Sequence, residues 1–399
     1  MTAIVKVQPA LITLPKAEVP SVSNPSQHFC TAVVLQKMTR LDWEKQKHPR
    51  KSAAQLIDYL RRKGHEVDSM IENDQKQKAA VAKILSRLRD ANITTQLVDR
   101  QSLSEAIPWA DLVVSAGGDG TFLTAAAAVA DHTPVVGINT DPVGSEGYLC
   151  IGGKNPPHDL FQRLVEGKFQ YAFNHLQQYL VKSNAWRIPQ GLINAESFKL
   201  FYYFNFKHVK SETSRKITVL NRKLTTKNGC ILALNEVFVG ENEAAKVSTY
   251  SISIDDQPMV KQKSSGLIVS TGTGSTSWYY GMNRVEEQIV AAILEAMQSL
   301  GVEVKTNMLK LAGEIAKKMN DKIVFEPSHP NFAYSIREPI FNGTYKRTKV
   351  RGFARRIRLK SKCSKGFLVL DGATKIPFNN GTEVLLEIFE ADALRTITL

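Results

Sequence analysis

The sequence predicts an α/β N-terminal domain with a doubly wound parallel sheet, followed by a β-rich C-terminal domain carrying a helical insertion. Three observations lead there. Between residues 31 and 139, short apolar strand patterns alternate with helical ones, as in a parallel sheet covered on both faces. One of those strand patterns runs directly into Gly117-Gly118-Asp119-Gly120-Thr121. From about residue 175 the texture changes to strand patterns and turns. At 399 residues the chain is long enough for two domains with cores of their own.

Taken in order, residues 1–29 hold four prolines, two lysines, one glutamate and no arginine. That is neither the Arg-rich amphipathic pattern of a transit peptide nor the apolar core of a secretory signal. The segment reads as a flexible leader, with a divergent targeting segment as the alternative. The α/β domain spans 30–174. Its elements are a strand from Thr31 to Gln36, a helix from Ser52 to Leu60 ending near Gly64, and a helical stretch from Lys78 to Leu88. A short strand from Thr95 to Val98 follows, then a strand from Asp111 to Ala116, a small-residue helix from Thr124 to Ala130, and a strand within Thr133 to Asn139. Ligands of such sheets sit at the carboxyl ends of the strands, where both Gly117–Thr121 and Asn139–Tyr148 emerge.

The β-rich domain spans 175–375, with insertions near 181–230 and 284–330. A strand from Val247 to Ile254 precedes the turn Asp255-Asp256-Gln257-Pro258. Residues 284–320 read as two helices. Val285, Ile289, Ile293 and Met297 lie at fourfold spacing on the first, a stripe for packing against the domain or a partner subunit. Residues 376–399 are expected to return toward the N-terminal domain.

Composition narrows the chemistry. Apolar content of 43% and charged content of 23% are ordinary for a globular protein, and no run reaches the length of a membrane span. The four cysteines are far apart and the eight histidines form no metal-binding spacing, which argues against a zinc site. The net charge of +14 is uneven, since nine of the seventeen residues from Lys346 to Lys362 are basic. Arg356, Arg358 and Lys360 alternate with Ile357 and Leu359, the pattern of a strand with one solvated face. Attraction of nucleotide phosphates is the second reading. Nucleic acid is a poor third, for want of an aromatic ladder.

Gly117-Gly118-Asp119-Gly120-Thr121 is the most specific feature. Glycines at a strand-to-helix turn admit phosphate to backbone N–H groups, and the helix N-terminus favours anions. A carboxylate there repels phosphate, but Asp119 makes sense if it acts on a hydroxyl about to receive a phosphoryl group; a generic tight turn is the plainer alternative. Three other segments have dull readings taken singly: the pair Asn235-Glu236 after an apolar run, the loop Ser270-Thr271-Gly272-Thr273-Gly274-Ser275-Thr276 after a strand, and the hairpin candidate Asp371-Gly372.

In this order the segments resemble the NAD kinase family, closest to its animal mitochondrial branch, over most of residues 30–180 and 230–399. Asn139-Thr140-Asp141-Pro142, Ser145-Glu146-Gly147, Ser335-Ile336-Arg337-Glu338-Pro339-Ile340 and Leu394-Arg395-Thr396 add to the resemblance. It implies a Rossmann-like domain joined to a β-rich one, as in the NAD kinase and diacylglycerol kinase superfamily. The implied reaction transfers a phosphoryl group from MgATP to the adenosine ribose 2′-hydroxyl of NAD, giving NADP. Carried over residue by residue, Asp119 is the proton acceptor, with Gly120 against the same ribose. Gly117, Gly118, Gly120 and Thr121 face donor phosphates. Asn235 and Glu236 hold the adenosine, and Ser275, Thr276, Ser277, Trp278 and Tyr279 line the dinucleotide. Mg²⁺ is expected on the ATP phosphates rather than in a protein cage. The branch also implies a homodimer and a mitochondrial location, with no nucleic acid or membrane partner.

The chain departs from the wider family at four places. Ser264-Ser265-Gly266 stands where most members have Gly-Asp-Gly, Gly272 replaces Pro, Ser277-Trp278 replaces Ala-Tyr, and Asp371-Gly372-Ala373 replaces Asp-Gly-Gln. Two alternatives are a catalytically silent dinucleotide-binding or regulatory protein, and a lipid kinase of the same superfamily. The second lacks the Asn-Glu and Thr-Gly-Ser-Thr combination. A P-loop kinase is excluded, since no G-x-x-x-x-G-K-[ST] occurs.

Overall fold

The structure is a computed structural model describing residues 29–129, 131–174, 177–183, 216–219, 222–225, 231–304 and 306–399. The first sheet orders its strands Thr94–Val98, Thr31–Gln36, Leu112–Ala116, Val135–Ile138, Leu394–Thr398 and Gln170–Asn174. The first four run parallel. Alternate residues feed cores on opposite faces: Ala32, Val34, Leu112 and Val114 on one, Val33, Leu35 and Val113 on the other. Burial on both faces is why these strands read as continuous apolar runs. Asp111 fixes the start of the first strand, its Oδ2 accepting from the Cys30 and Thr31 backbone N–H groups.

Helices differ from the sequence expectation in two places. The helix expected over 124–130 runs from Asp119 to Ala126, because Gly118 is its N-cap and the Asp119 carboxylate suits the positive end of the helix. The helix expected over 78–88 extends over Val67–Asp90, its front half masked by buried polar residues. Among these, Asp74 accepts from Thr39 Oγ1 at 2.7 Å and pairs with Lys78 Nζ at 2.6 Å. The helix Ala53–Arg62 starts in a capping box, Ser52 and Gln55 exchanging side-chain-to-backbone bonds.

In the second half of the chain, two six-stranded sheets pack around one apolar cluster. Val237, Val239, Leu267 and Leu368 come from one sheet, and Tyr250, Ile357, Leu359 and Leu386 from the other. Asp255 and Asp256 both have positive φ in the turn joining Ser248–Ile254 to Val260–Ser264, as a tight hairpin demands. Arg356–Ser361 alternates exposed and buried residues, and two of its exposed cations have acidic partners: Arg356 with Glu387 and Asp256, Lys360 with Glu383. The segment after residue 376 divides. Thr382–Ile388 stays in the second domain, and Leu394–Thr398 alone joins the first sheet, beside Val135–Ile138 and Gln170–Asn174.

The helices of 284–320 are Glu287–Ser299 and Met308–Asn320. They bury Val290 and Leu294 against Ala312 and Ala316. The stripe read from the sequence is one position off that seam, since Ile289 and Ile293 are 54% and 53% exposed. Most of the insertion near 181–230 lies outside the described residues. No helix among the described residues is long and apolar enough to cross a membrane.

Candidate active site

The Gly117–Thr121 turn sits where the first sheet changes direction. The first strand, Thr31–Gln36, has Thr94–Val98 on one side and Leu112–Ala116 on the other, so consecutive connections leave it in opposite senses. The crevice at the carboxyl ends of Thr31–Gln36 and Leu112–Ala116 is therefore the topological switch point. Hydrogen bonds lock it: Lys37 N–H donates to Ala116 O at 3.0 Å, and Gly117 N–H to Ile138 O at 3.1 Å. Gln77 Nε2 also donates to Ala116 O, and Thr140 Oγ1 donates to Gln77 Oε1.

Asp119 is the first residue of its helix. Its Oδ1 accepts from Leu149 N–H at 2.8 Å and its Oδ2 from Tyr148 N–H at 3.2 Å. The carboxylate is thus aimed by the loop that follows Val135–Ile138, and each oxygen retains a lone pair. Gly120 faces open space, whereas a Cβ at Gly118 would crowd Ser145 Oγ. The bond from Gly117 N–H to Ile138 O commits that donor to the sheet end. Thr121 and Phe122 N–H bond back to Gly118 O, so the helix start leaves Asp119 and Gly120 N–H outside its ladder. Behind the turn, Cys150 Sγ donates to Gly117 O at 3.5 Å, and burial pushes this thiol up to about 12.

The Asn235-Glu236 turn is built differently. The carboxylate of Asp371 accepts from three successive backbone N–H groups, Leu234 at 2.9 Å, Asn235 at 2.8 Å and Glu236 at 3.2 Å. Thr271 Oγ1 contacts Leu234 O at 2.5 Å and Asn235 O at 3.2 Å. A Cβ at Gly274 would overlap Asn235 O, and one at Gly272 would overlap Glu326 O. These close approaches give a physical reason for glycine at 272.

With its backbone so occupied, the turn leaves side-chain atoms unmatched. Among the described residues, the buried oxygens without a hydrogen-bond partner include Asn235 Oδ1, Glu236 Oε2 and Thr273 Oγ1. Asn235 Nδ2 donates to Ser277 Oγ at 3.1 Å. Burial pushes the Glu236 carboxyl up to about 8, with Asp371 adding to the effect. Buried polar atoms without partners are uncommon in native proteins, and their clustering here makes this turn a candidate ligand site.

The expected lining residues separate. Ser277 touches Asn235, and Trp278 is exposed and tilted against Phe238 with ring centroids 4.8 Å apart. Thr276 is half-buried. Ser275 is fully buried, its hydroxyl bonded to Gly272 O at 2.6 Å and to the Phe325 backbone, and Tyr279 packs on Ile268 and Ala333. Ser275 and Tyr279 are therefore walls of the loop. Ser265 Oγ, at the position without the usual aspartate, donates to Glu338 Oε2. Sequence reasoning missed the clamp formed by Asp371, which it read only as a hairpin turn. Its sole signal was the order of Asp371-Gly372 after the other motifs.

The two turns share one core. Leu234, immediately before Asn235, packs in the same cluster as Phe122, three residues after Asp119, and Leu35 from the first strand.

Comparison with known proteins bears on this arrangement. The description "ATP-NAD kinase N-terminal domain" matches residues 47–169, and "ATP-NAD kinase C-terminal domain" matches residues 234–306. The chain is 34% identical over 377 residues to NAD kinase 2, mitochondrial, of Rattus norvegicus, covering 92% of this chain and 87% of that one. Identity to its Homo sapiens counterpart is 32% over 374 residues, covering 92% and 84%. An NAD kinase from Archaeoglobus fulgidus solved with ATP is similar over 92% of both chains, at 16% identity and a TM-score of 0.48. With this identity extending over nearly all of the rat and human relatives, the chain belongs to the NAD kinase family.

Proposed function

We propose that the protein transfers a phosphoryl group from ATP to the adenosine ribose 2′-hydroxyl of NAD, giving NADP and ADP. The observation that carries this reading is the buried turn in which Asn235 Oδ1 and Glu236 Oε2 lack partners while Asp371 fixes the backbone beneath them. These atoms suit the adenosine half of a dinucleotide, whose amine and hydroxyl donors they can accept. Asn235 and Glu236 hold the adenosine, Ser277 and Trp278 border it, and Asp119 receives the hydroxyl proton. A carboxylate already accepting two N–H bonds is a weak base, and it need not be a strong one. Phosphoryl transfer passes through a loose transition state, so the hydroxyl loses its proton late and positioning does most of the work. Gly118, Gly120 and the N–H groups at the helix start receive donor phosphates.

Among the described residues no group of three or more His, Cys, Asp or Glu could hold a metal ion. Mg²⁺ enters as part of the substrate MgATP. The same reading includes the mitochondrial location named for the rat and human relatives, which imaging of the tagged full chain checks. It also includes a homodimer, supported by the exposed Ile289 and Ile293 face and checked by light scattering. The activity test is NADP formation by the purified full chain from NAD with MgATP. Appearance of NADP is the expected result. NAD binding without NADP from ATP or polyphosphate would favour the catalytically silent alternative.

A further inference from the structure

The switch-point crevice has two rims. One carries Gly117-Gly118-Asp119, and the other carries Lys37, the residue immediately after the strand Thr31–Gln36. The two rims are in contact. Lys37 N–H donates to Ala116 O, and a Cβ built at Gly117 would stand 3.0 Å from Lys37 Cβ. Lys37 is half-buried, and among the described residues no carboxylate forms an ion pair with it. Its neighbours along the chain are otherwise engaged. Arg40 pairs with Glu44, Lys45 with Asp42 and Asp74, and Lys78 with Asp74 and Asp42. The side chains aimed at the turn from the other rim include a carboxylate, Asp119, and hydroxyls, Thr121 and Ser145. A transferring phosphoryl group spreads negative charge over its oxygens, beside a carboxylate of the same sign. A fixed cation beside the turn would stabilise that charge together with the Mg²⁺ carried by ATP.

We propose that Lys37 is that cation: a residue that contacts the donor phosphates and stabilises the charge of the transferred group. This rests on the kinase reading above. In the step, a bond forms between the ribose 2′-oxygen and the γ-phosphorus, and the bond from that phosphorus to the β,γ-bridging oxygen breaks. ADP leaves with the electron pair, and the hydroxyl proton passes to Asp119. Lys37 keeps its own proton throughout and contributes charge and position only. Because its backbone N–H makes the bond to Ala116, the side chain can be changed without unfastening the two strand ends.

The test is steady-state kinetics of the full chain as parent, Lys37→Met and Lys37→Arg, with NAD and ATP affinities measured separately by calorimetry. Lys37→Met is expected to lower kcat/KM for ATP on the order of 10²- to 10³-fold, as loss of one transition-state charge contact does. NAD affinity should stay within about threefold, and Lys37→Arg should recover part of the loss because charge is retained. A folded Lys37→Met protein with parent kcat/KM for ATP overturns the proposal. So does a loss in Lys37→Met that matches its loss of folded protein and leaves the folded fraction fully active. Should Lys37→Met fail to fold, a folded Lys37→Gln protein with parent kcat/KM for ATP would overturn it instead. Failure of the parent itself to form NADP would instead refute the underlying kinase reading.

Discussion

The two turns that meet across the shared core solve opposite problems. At Gly117–Thr121 the side chain is anchored in advance: each oxygen of Asp119 accepts one backbone bond, from Tyr148 and Leu149, and keeps a lone pair. At Asn235-Glu236 the backbone is saturated, by Asp371 and Thr271, while the side chains carry partnerless atoms. A group that must meet a reacting hydroxyl gains from being aimed in advance. Groups that must hold a polar ligand gain from arriving unmatched, because the ligand then removes a cost already present in the empty protein. On the proposed function, the difference separates positioning for chemistry from positioning for binding.

The largest effect expected from breaking this comparison is on turnover. Asp119→Asn should reduce kcat by about 10³-fold, the scale of losing a placed proton acceptor. The asparagine can satisfy one of the two loop N–H groups but turns a donor toward the other. A modest loss of thermal stability should therefore accompany the kinetic loss, read by calorimetric melting.

Next is the clamp. Asp371→Ala would leave three N–H groups without their acceptor, so an unfolding loss of at least about 3 kcal/mol is expected in a denaturant titration. Asp371→Asn keeps one oxygen, which serves Asn235 and Glu236 in the parent. It should lose well under half as much. Equal losses in the two variants would mean that charge, rather than hydrogen bonding, does the holding.

The smallest effect concerns Glu236. Its carboxyl is raised from the ordinary 4.5 to about 8 by burial. The folded protein therefore binds this proton more tightly than the unfolded chain does. The stabilisation is fully present below about pH 4.5 and is lost as pH rises through about 8. Glu236→Gln removes that slope. The ligand-free variant should gain on the order of 1 kcal/mol or more over the parent at pH 9, and little at pH 4.5. A gain of the same size at both pH values would assign the effect to packing.

How much of this was legible in the sequence follows the same division. The strands Thr31–Gln36 and Leu112–Ala116 were readable because burial on both faces writes unbroken apolar runs. The Gly-Gly-Asp-Gly-Thr turn was readable because glycine and a charge at a strand end have few other uses. The helix start at Asp119 was not, since glycine and aspartate are poor helix formers and the cap and dipole outweigh propensity there. The stripe through Ile289 lies beside the seam within the chain, because a pattern of fourfold spacing does not say which neighbouring helix face is covered. The buried seam runs through Val290 and Leu294. The clamp by Asp371 is a contact across 135 or more residues between a carboxylate and backbone, and no local pattern encodes it. The same holds for the bonds that aim Asp119, whose donors are backbone groups some 30 residues away.

The central claim, that one turn is built for chemistry and the other for holding the dinucleotide, is tested most directly by NAD titration calorimetry on the folded full chain, with Asp119→Asn and Asn235→Ala compared with the parent. The account predicts that Asp119→Asn keeps its NAD affinity within about tenfold while turnover collapses. Asn235→Ala should lose at least about tenfold in affinity, the scale of one buried hydrogen bond to the ligand. Parent affinity in Asn235→Ala, or abolished binding in a folded Asp119→Asn, would contradict it.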